Sequence, residues 1–146
     1  MLMTVEQISV FVENRSGQLG DVTRVLEDAG INIRALSLSD TTDFGVLRLM
    51  ADDTQKAKSA LAAAGFTVGS TPVVAVDVED TPGGLGRVLR VLSEYGINVE
   101  YLYAYTQRES TRATIIFRFD RTEEAVKVMQ KRGIRVLGPD EIADRR

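Results

Sequence analysis

One stretch of this chain occurs twice. Residues 12–32 read V-E-N-R-S-G-Q-L-G-D-V-T-R-V-L-E-D-A-G-I-N, and residues 78–98 read V-E-D-T-P-G-G-L-G-R-V-L-R-V-L-S-E-Y-G-I-N. Gly17 aligns with Gly83, Leu19 with Leu85, Gly20 with Gly86, Gly30 with Gly96 and Asn32 with Asn98, at a constant offset (83 − 17 = 66). A repeat sets the unit of folding before any local pattern is weighed. This unit is about half the chain, too long for a solenoid repeat and long enough for a small domain. Two copies of one domain are therefore expected, over residues 1–70 and 71–146. Each is small enough to be marginal alone. Packing of the halves on each other, or on a second chain, is expected to make up the difference.

Each copy alternates strand and helix patterns. In residues 7–12, Ile8, Val10 and Val12 share one face of a strand. Leu19, Val22, Val25 and Leu26 recur at helical spacing, with Asn14 or Ser16 as the expected cap and Gly30 as the expected stop. Two strands follow, joined by a turn at residues 40–43. Asp52, Asp53 and Thr54 are expected to open a second helix with the stripe Ala57, Ala60, Leu61 and Ala64, which Gly65 ends. A short strand at 66–68 and a link at 69–72 complete the first copy.

The second copy runs through the helix of Leu85, Val88, Leu89, Val91 and Leu92, a strand with Tyr101 and Tyr103, a turn at 107–111 and a strand at 113–119. A helix at 122–132, a strand at 134–137 and a charged tail at 139–146, expected as one helical turn or as a frayed end, complete the chain. After the turn the offset grows to 68 (133 − 65), which places two extra residues in that hairpin. The order β-α-β-β-α-β predicts an α+β class: two ferredoxin-like domains, each an antiparallel sheet with both helices on one face.

Composition limits the chemistry. The chain has no Cys and no His. Thiolate metal sites, disulfides and the commonest general base are excluded. A net charge of −3 argues against nucleic acid as partner. No apolar run approaches the ~18 residues of a membrane span, and the first residues do not read as a secretory signal. A cytoplasmic protein with no cofactor, no metal and no membrane partner is expected. The pairs Asp52–Asp53 and Glu123–Glu124 read as complements to helix dipoles rather than as catalytic carboxylates. Arg108, Glu109 and Arg112 read as a solvated hairpin.

Candidate binding residues lie at the repeated turns. Backbone N–H groups at a helix start are unpaired, and glycine lets a ligand approach them closely. A small carboxylate suits such a place; taken alone, the turn is explained better by a tight strand-to-helix junction, since short turns there are common. Neither the phosphate-loop nor the dinucleotide glycine motif is present. Asn32 and Asn98 open the second strand of each copy and offer both donor and acceptor to a ligand lying between strand and turn. Tyr101, Tyr103 and Tyr105 alternate on one strand where the first copy has Ala35, Ser37 and Ser39.

The pattern polar-x-x-G-x-L, an apolar helix and then G-I-N-[IV] resembles the ACT domain. Asp80-Thr81-Pro82-Gly83-Gly84-Leu85 with Gly96-Ile97-Asn98-Val99 matches it more closely, since the first copy has Ser16 where the family often has Pro. The resemblance implies a non-catalytic regulatory protein that binds a small amino acid at interfaces between ACT domains, with sheets paired side by side. Carried over by position, the ligand-binding residues are Asn14, Gly17, Gln18, Leu19, Asn32 and Ile33, and Asp80, Gly83, Gly84, Leu85, Asn98 and Val99. A homodimer that signals to an enzyme or regulator of amino-acid metabolism is expected. The alternative is a constitutive regulatory or scaffolding subunit, like the small subunit of acetolactate synthase. Replacing Gly83 by Val is expected to lower ligand affinity far more than stability.

Overall fold

The computed structural model of the protein describes residues 3–40, 43–105 and 111–143. Its elements are β1 (Val5–Glu13), α1 (Gln18–Asp28), β2 (Ile33–Asp40), β3 (Phe44–Ala51), α2 (Thr54–Ala63), β4 (Thr67–Glu79), α3 (Gly84–Glu94), β5 (Val99–Tyr105), β6 (Arg112–Phe119), α4 (Thr122–Lys131), β7 (Val136–Leu137) and α5 (Pro139–Ala143). Two compact units result. The N-terminal unit is Glu6–Thr71; the C-terminal unit takes in the chain from Pro72 together with the residues up to Val5. Met3 accounts for the second assignment, because it packs on the C-terminal core.

Within the N-terminal unit the strand order is β2-β3-β1-β4; within the C-terminal unit it is β5-β6-β4, with β7 on the other side of β4. β3 pairs antiparallel with β1 and β2, β6 with β4 and β5, and β7 with β4. Period two in the strands and the helical stripes meet on one face of each sheet. Ile8, Val10, Val12, Leu47 and Leu49 pack with Val22 and Leu26 of α1 and Ala57 and Leu61 of α2. Val74, Val76, Val78, Phe117 and Phe119 pack with Val88 and Leu92 of α3 and Val126 and Met129 of α4. Each fully buried Val, Leu or Phe contributes roughly 1.5–3 kcal/mol. The class is α+β, two ferredoxin-like βαββαβ domains.

The four main helices stop in the same way. Gly30, Gly65, Gly96 and Gly133 all have positive φ. The next residue then donates its N–H back to the helix: Ile31 to Leu26 at 2.9 Å, Phe66 to Leu61 at 3.1 Å, Ile97 to Leu92 at 3.0 Å and Ile134 to Met129 at 2.8 Å. This is the glycine-ended helix stop with an apolar contact behind it. It turns the chain sharply into the following strand.

Four local expectations need correction. Residues 69–72 are not a link: β4 runs unbroken through them. Thr71 favours extended backbone, and the φ of Pro72 is compatible with it. Neither Asn14 nor Ser16 caps α1; its N-cap is Gly17, with no side-chain bond. Ala64 is exposed past the end of α2. Asp53 does cap α2, accepting from the Lys56 N–H at 3.1 Å, but Asp52 lies outside that helix. The charged tail needs no correction: it forms the helical turn, one of its two expected states, as α5, which buries Ile142. The turn residues 41–42 and 106–110, with Arg108 and Glu109, and the last residues, 144–146, lie outside the described residues.

Candidate functional site

Gly17 and Gly83 are N-caps of α1 and α3, both at φ 87, and neither helix has a side-chain cap. The carbonyl of Gly17 accepts from Asp21 at 3.0 Å and that of Gly83 from Arg87 at 2.9 Å. Each helix therefore starts with glycine where Ser, Asp or Asn would normally accept from the first N–H groups. The left-handed conformation also explains the glycines sterically. It corrects the expectation for Gly83→Val. A β-branched residue at φ 87 is strained in its own right, so this change lowers stability as well as any affinity.

The two turns follow one backbone path and are filled differently. In the first, the buried Gln18 side chain reaches back, and its Oε1 accepts from the Glu13 N–H at 3.0 Å. In the second, Gly84 holds the equivalent place, and a Cβ there would lie 1.9 Å from the Glu79 carbonyl oxygen. The backbone closes on itself where the first copy inserts a side chain.

Beside each turn lies a cleft lined by that unit alone. The N-terminal cleft, about 690 Å³, is bounded by Phe11, Glu13, Arg15, Gln18, Asp21 and Phe44, among others. The C-terminal cleft, about 320 Å³, is bounded by Asp77, Glu79, Gly83, Gly84, Arg87 and Arg112, among others. The positions correspond through the repeat. Their chemistry does not, since Asp21 becomes Arg87 and Phe44 becomes Arg112.

Of the expected binding residues, Gln18, Gly83 and Gly84 line these clefts; Asn14, Gly17, Leu19, Asp80 and Leu85 flank them in the turns and first helical residues without lining them. Asn14 and Asp80 anchor the turns by donating their N–H to Asp43 and Thr111, each at 2.9 Å. Asn32 and Ile33 line a separate shallow cleft with Thr23, Glu27 and Gly30, at the far end of α1. Eleven helical residues separate the two ends, a span of roughly 16 Å. Within one unit, then, no small ligand lies between the turn and Asn32. Asn98 and Val99 stand beyond the far end of α3 in the same way.

Both asparagines also have a main-chain role. Asn32 donates its N–H to the Asp52 carboxylate at 3.1 Å, and the Asp52 N–H returns to the Asn32 carbonyl at 3.1 Å. Asn98 and Asp120 repeat the clamp at 3.0 and 3.2 Å. A register irregularity follows each, between Ile33 and Ala35 and between Val99 and Tyr101. Both asparagine side chains stay exposed. Glu123 and Glu124 lie in the first turn of α4, where they complement its dipole. Tyr101 and Tyr103 stack with ring centroids 6.5 Å apart, on the sheet face away from the helices.

Sequence reasoning overlooked the arginines of the C-terminal cleft and treated Arg112 as solvated. Its Nε donates to Asp77 at 2.7 Å, and the Asp77 side chain is only 4% exposed. A lone carboxylate inside the apolar run V-V-A-V-D-V is the signal that could have revealed this pair. Arg135 pairs with Glu141 at 2.5 Å, which raises its already high pKa and keeps it charged. Among the described residues no group of carboxylates is arranged to hold a metal ion, and no helix is long and apolar enough to cross a membrane.

Comparison with known proteins bears on the duplicated architecture. The family model described as an ACT domain pair matches residues 3–144. The crystal structure of protein BT0572 from Bacteroides thetaiotaomicron is 33% identical, with 98% of each chain covered and a TM-score of 0.89. The regulatory subunits of aspartate kinase from Thermus thermophilus and Thermus flavus share the fold at 18% identity, with TM-scores of 0.61 and 0.59. The alignments cover 89% and 90% of this chain and 93% of each of those. A search of the curated proteins found no match.

Proposed function

Because the chain belongs to the ACT domain pair family, we propose that it is a non-catalytic regulatory protein whose duplicated glycine turns take the carboxylate of a small amino acid. The observation that carries this reading is the repeated helix start: a glycine N-cap without a side-chain acceptor, beside a cleft, in both copies. Gln18 and Gly84 already donate their N–H to the Arg15 and Thr81 carbonyls, so the next N–H groups, of Leu19 and Gly20 and of Leu85 and Gly86, are the donors that a carboxylate would meet, with the helix dipole in its favour.

The helix length divides the work. Asn32 and Asn98 are too far from the turn of their own domain to share its ligand. They complete the site for a turn supplied by another ACT domain, which we assign to a second copy of the chain in a homodimer. Ligand binding then favours one arrangement of the copies. A partner enzyme or regulator of amino-acid metabolism reads that arrangement, and the available energy is the ligand's differential affinity for the two states. The aspartate kinase regulatory subunits offer a precedent for this fold as a separate regulatory chain.

A thermal-shift screen against the twenty amino acids tests the proposal. A ligand at a hundred times its Kd stabilises by about 2.7 kcal/mol, which raises Tm by roughly 5 °C or more. One amino acid, or a small chemically related set, is expected to do so. No response to any of them would favour the constitutive scaffolding subunit instead.

A further inference from the structure

We propose that the two clefts have diverged, and that the one beside Gly83 takes a small dianion while the one beside Gln18 does not. For an amino-acid ligand, whose ammonium offsets one of the charges, this means two anionic groups on one molecule: a side chain carrying a second carboxylate. The inference rests on the amino-acid reading for that ligand class; the charge of the cleft stands independently of it.

The lining carries the argument. Four arginines and two carboxylates border the C-terminal cleft, Arg135 among them being paired with Glu141 from outside the lining, against two arginines and three carboxylates in its counterpart. In the N-terminal cleft Arg15 is neutralised by Glu13 at 2.9 Å and Asp21 at 3.7 Å. In the C-terminal cleft Thr81 replaces that arginine and Arg87 replaces Asp21, so the charge on the helix is inverted. Arg87 and Arg90 stand one turn apart on α3. Among the described residues neither meets a carboxylate within ion-pair distance.

Arg112 is fixed at the edge of the cleft by the buried Asp77, and Phe44 stands at its place in the first copy. One carboxylate on the N–H groups at the start of α3 leaves a second within reach of the planar guanidinium forks, which match carboxylate geometry. The volume, about 320 Å³, lies at the small end of the range for ligand sites. The N-terminal cleft instead presents Phe11, Phe44 and Phe66, which suits an apolar side chain.

The test is a titration of the full-length protein, followed through the amide resonances of Gly17, Gly83, Gly84 and Gly86. L-glutamate and L-aspartate are compared with L-glutamine and L-asparagine, and inorganic phosphate is a separate arm. The acids are expected to bind about tenfold tighter than their amides. They are expected to shift Gly83 and Gly84 and to weaken with added salt. The exposed double variant Arg87→Gln, Arg90→Gln is expected to bring acid and amide to equal affinity. Equal binding of acid and amide by the unaltered protein, shifts confined to Gly17, or an unchanged preference in the double variant would overturn the inference. Amino acids that bind without this preference would leave the regulatory reading intact and remove only the dianion site. Phosphate shifting Gly83 and Gly84 while no amino acid does would keep the dianion site and remove the amino-acid reading. Silence in every arm would remove both.

Discussion

Replacing Gly84 by Ala is expected to destabilise the protein by about 3 kcal/mol or more. The cause is not backbone freedom. Gly84 is the first residue of α3 and is absent from the positive-φ glycines. The cause is the Glu79 carbonyl oxygen, 1.9 Å from where the new Cβ would sit, and the Glu79 carbonyl carbon, 2.9 Å away. Both belong to the main chain at the end of β4. That end is held in the ladder to Arg112 and, one residue on, by the Asp80 to Thr111 bond at 2.9 Å. Relief therefore requires the strand or the helix to move. Gly86→Ala is the matched control. Its Cβ would meet only the Arg90 guanidinium tip at 3.1 Å, which can swing away. Alanine inside a helix is favoured over glycine by roughly 0.5–1 kcal/mol. Thermal and urea melts followed by circular dichroism should move in opposite directions for the two variants. A Gly84→Ala protein within ~0.5 kcal/mol of the parent, the usual scatter for neutral sites, would mean that the turn opens freely.

Arg112→Met is expected to cost about 2–3 kcal/mol, somewhat less than the roughly 3–5 kcal/mol for removing one partner of a fully buried ion pair. The Asp77 side chain is 4% exposed, whereas that of Arg112 is 41% exposed, so water softens the loss on one side only. The variant leaves a nearly dry carboxylate without its 2.7 Å donor. Adding Asp77→Asn removes the charge and should recover most of the loss. A double-mutant cycle in denaturant should then report a coupling of about 2 kcal/mol. Additive effects would instead mean that Asp77 is held by its other contacts and that the pair itself contributes little.

These two positions show what the sequence makes legible and what it hides. The repeat, the strand period and the glycine stops lie in contiguous residues, so the order of elements and both cores could be read directly. β3 falls at the expected residues because the alternation and the Asp53 cap bound it on either side. The continuity of β4 was hidden because Gly69 and Pro72 read as punctuation, yet extended backbone accepts both. The cleft was hidden for a different reason. Asp77 and Arg112 are 35 residues apart and meet only through the β4–β6 register. The turn residues were legible because the duplication marks them. Their separation from Asn32 and Asn98 was not, because it depends on which end of an 11-residue helix each one occupies.

The decisive observation is a crystal structure of the protein saturated with whichever amino acid raises its Tm most. The expected result is a ligand carboxylate within about 3.2 Å of main-chain nitrogens at residues 85–86 or 19–20, the reach of an N–H hydrogen bond. Asn32 or Asn98 of a second copy would lie against the rest of the ligand. An amino acid bound with its carboxylate away from both turns, or turns closed over by side chains in the bound state, would contradict the proposed function.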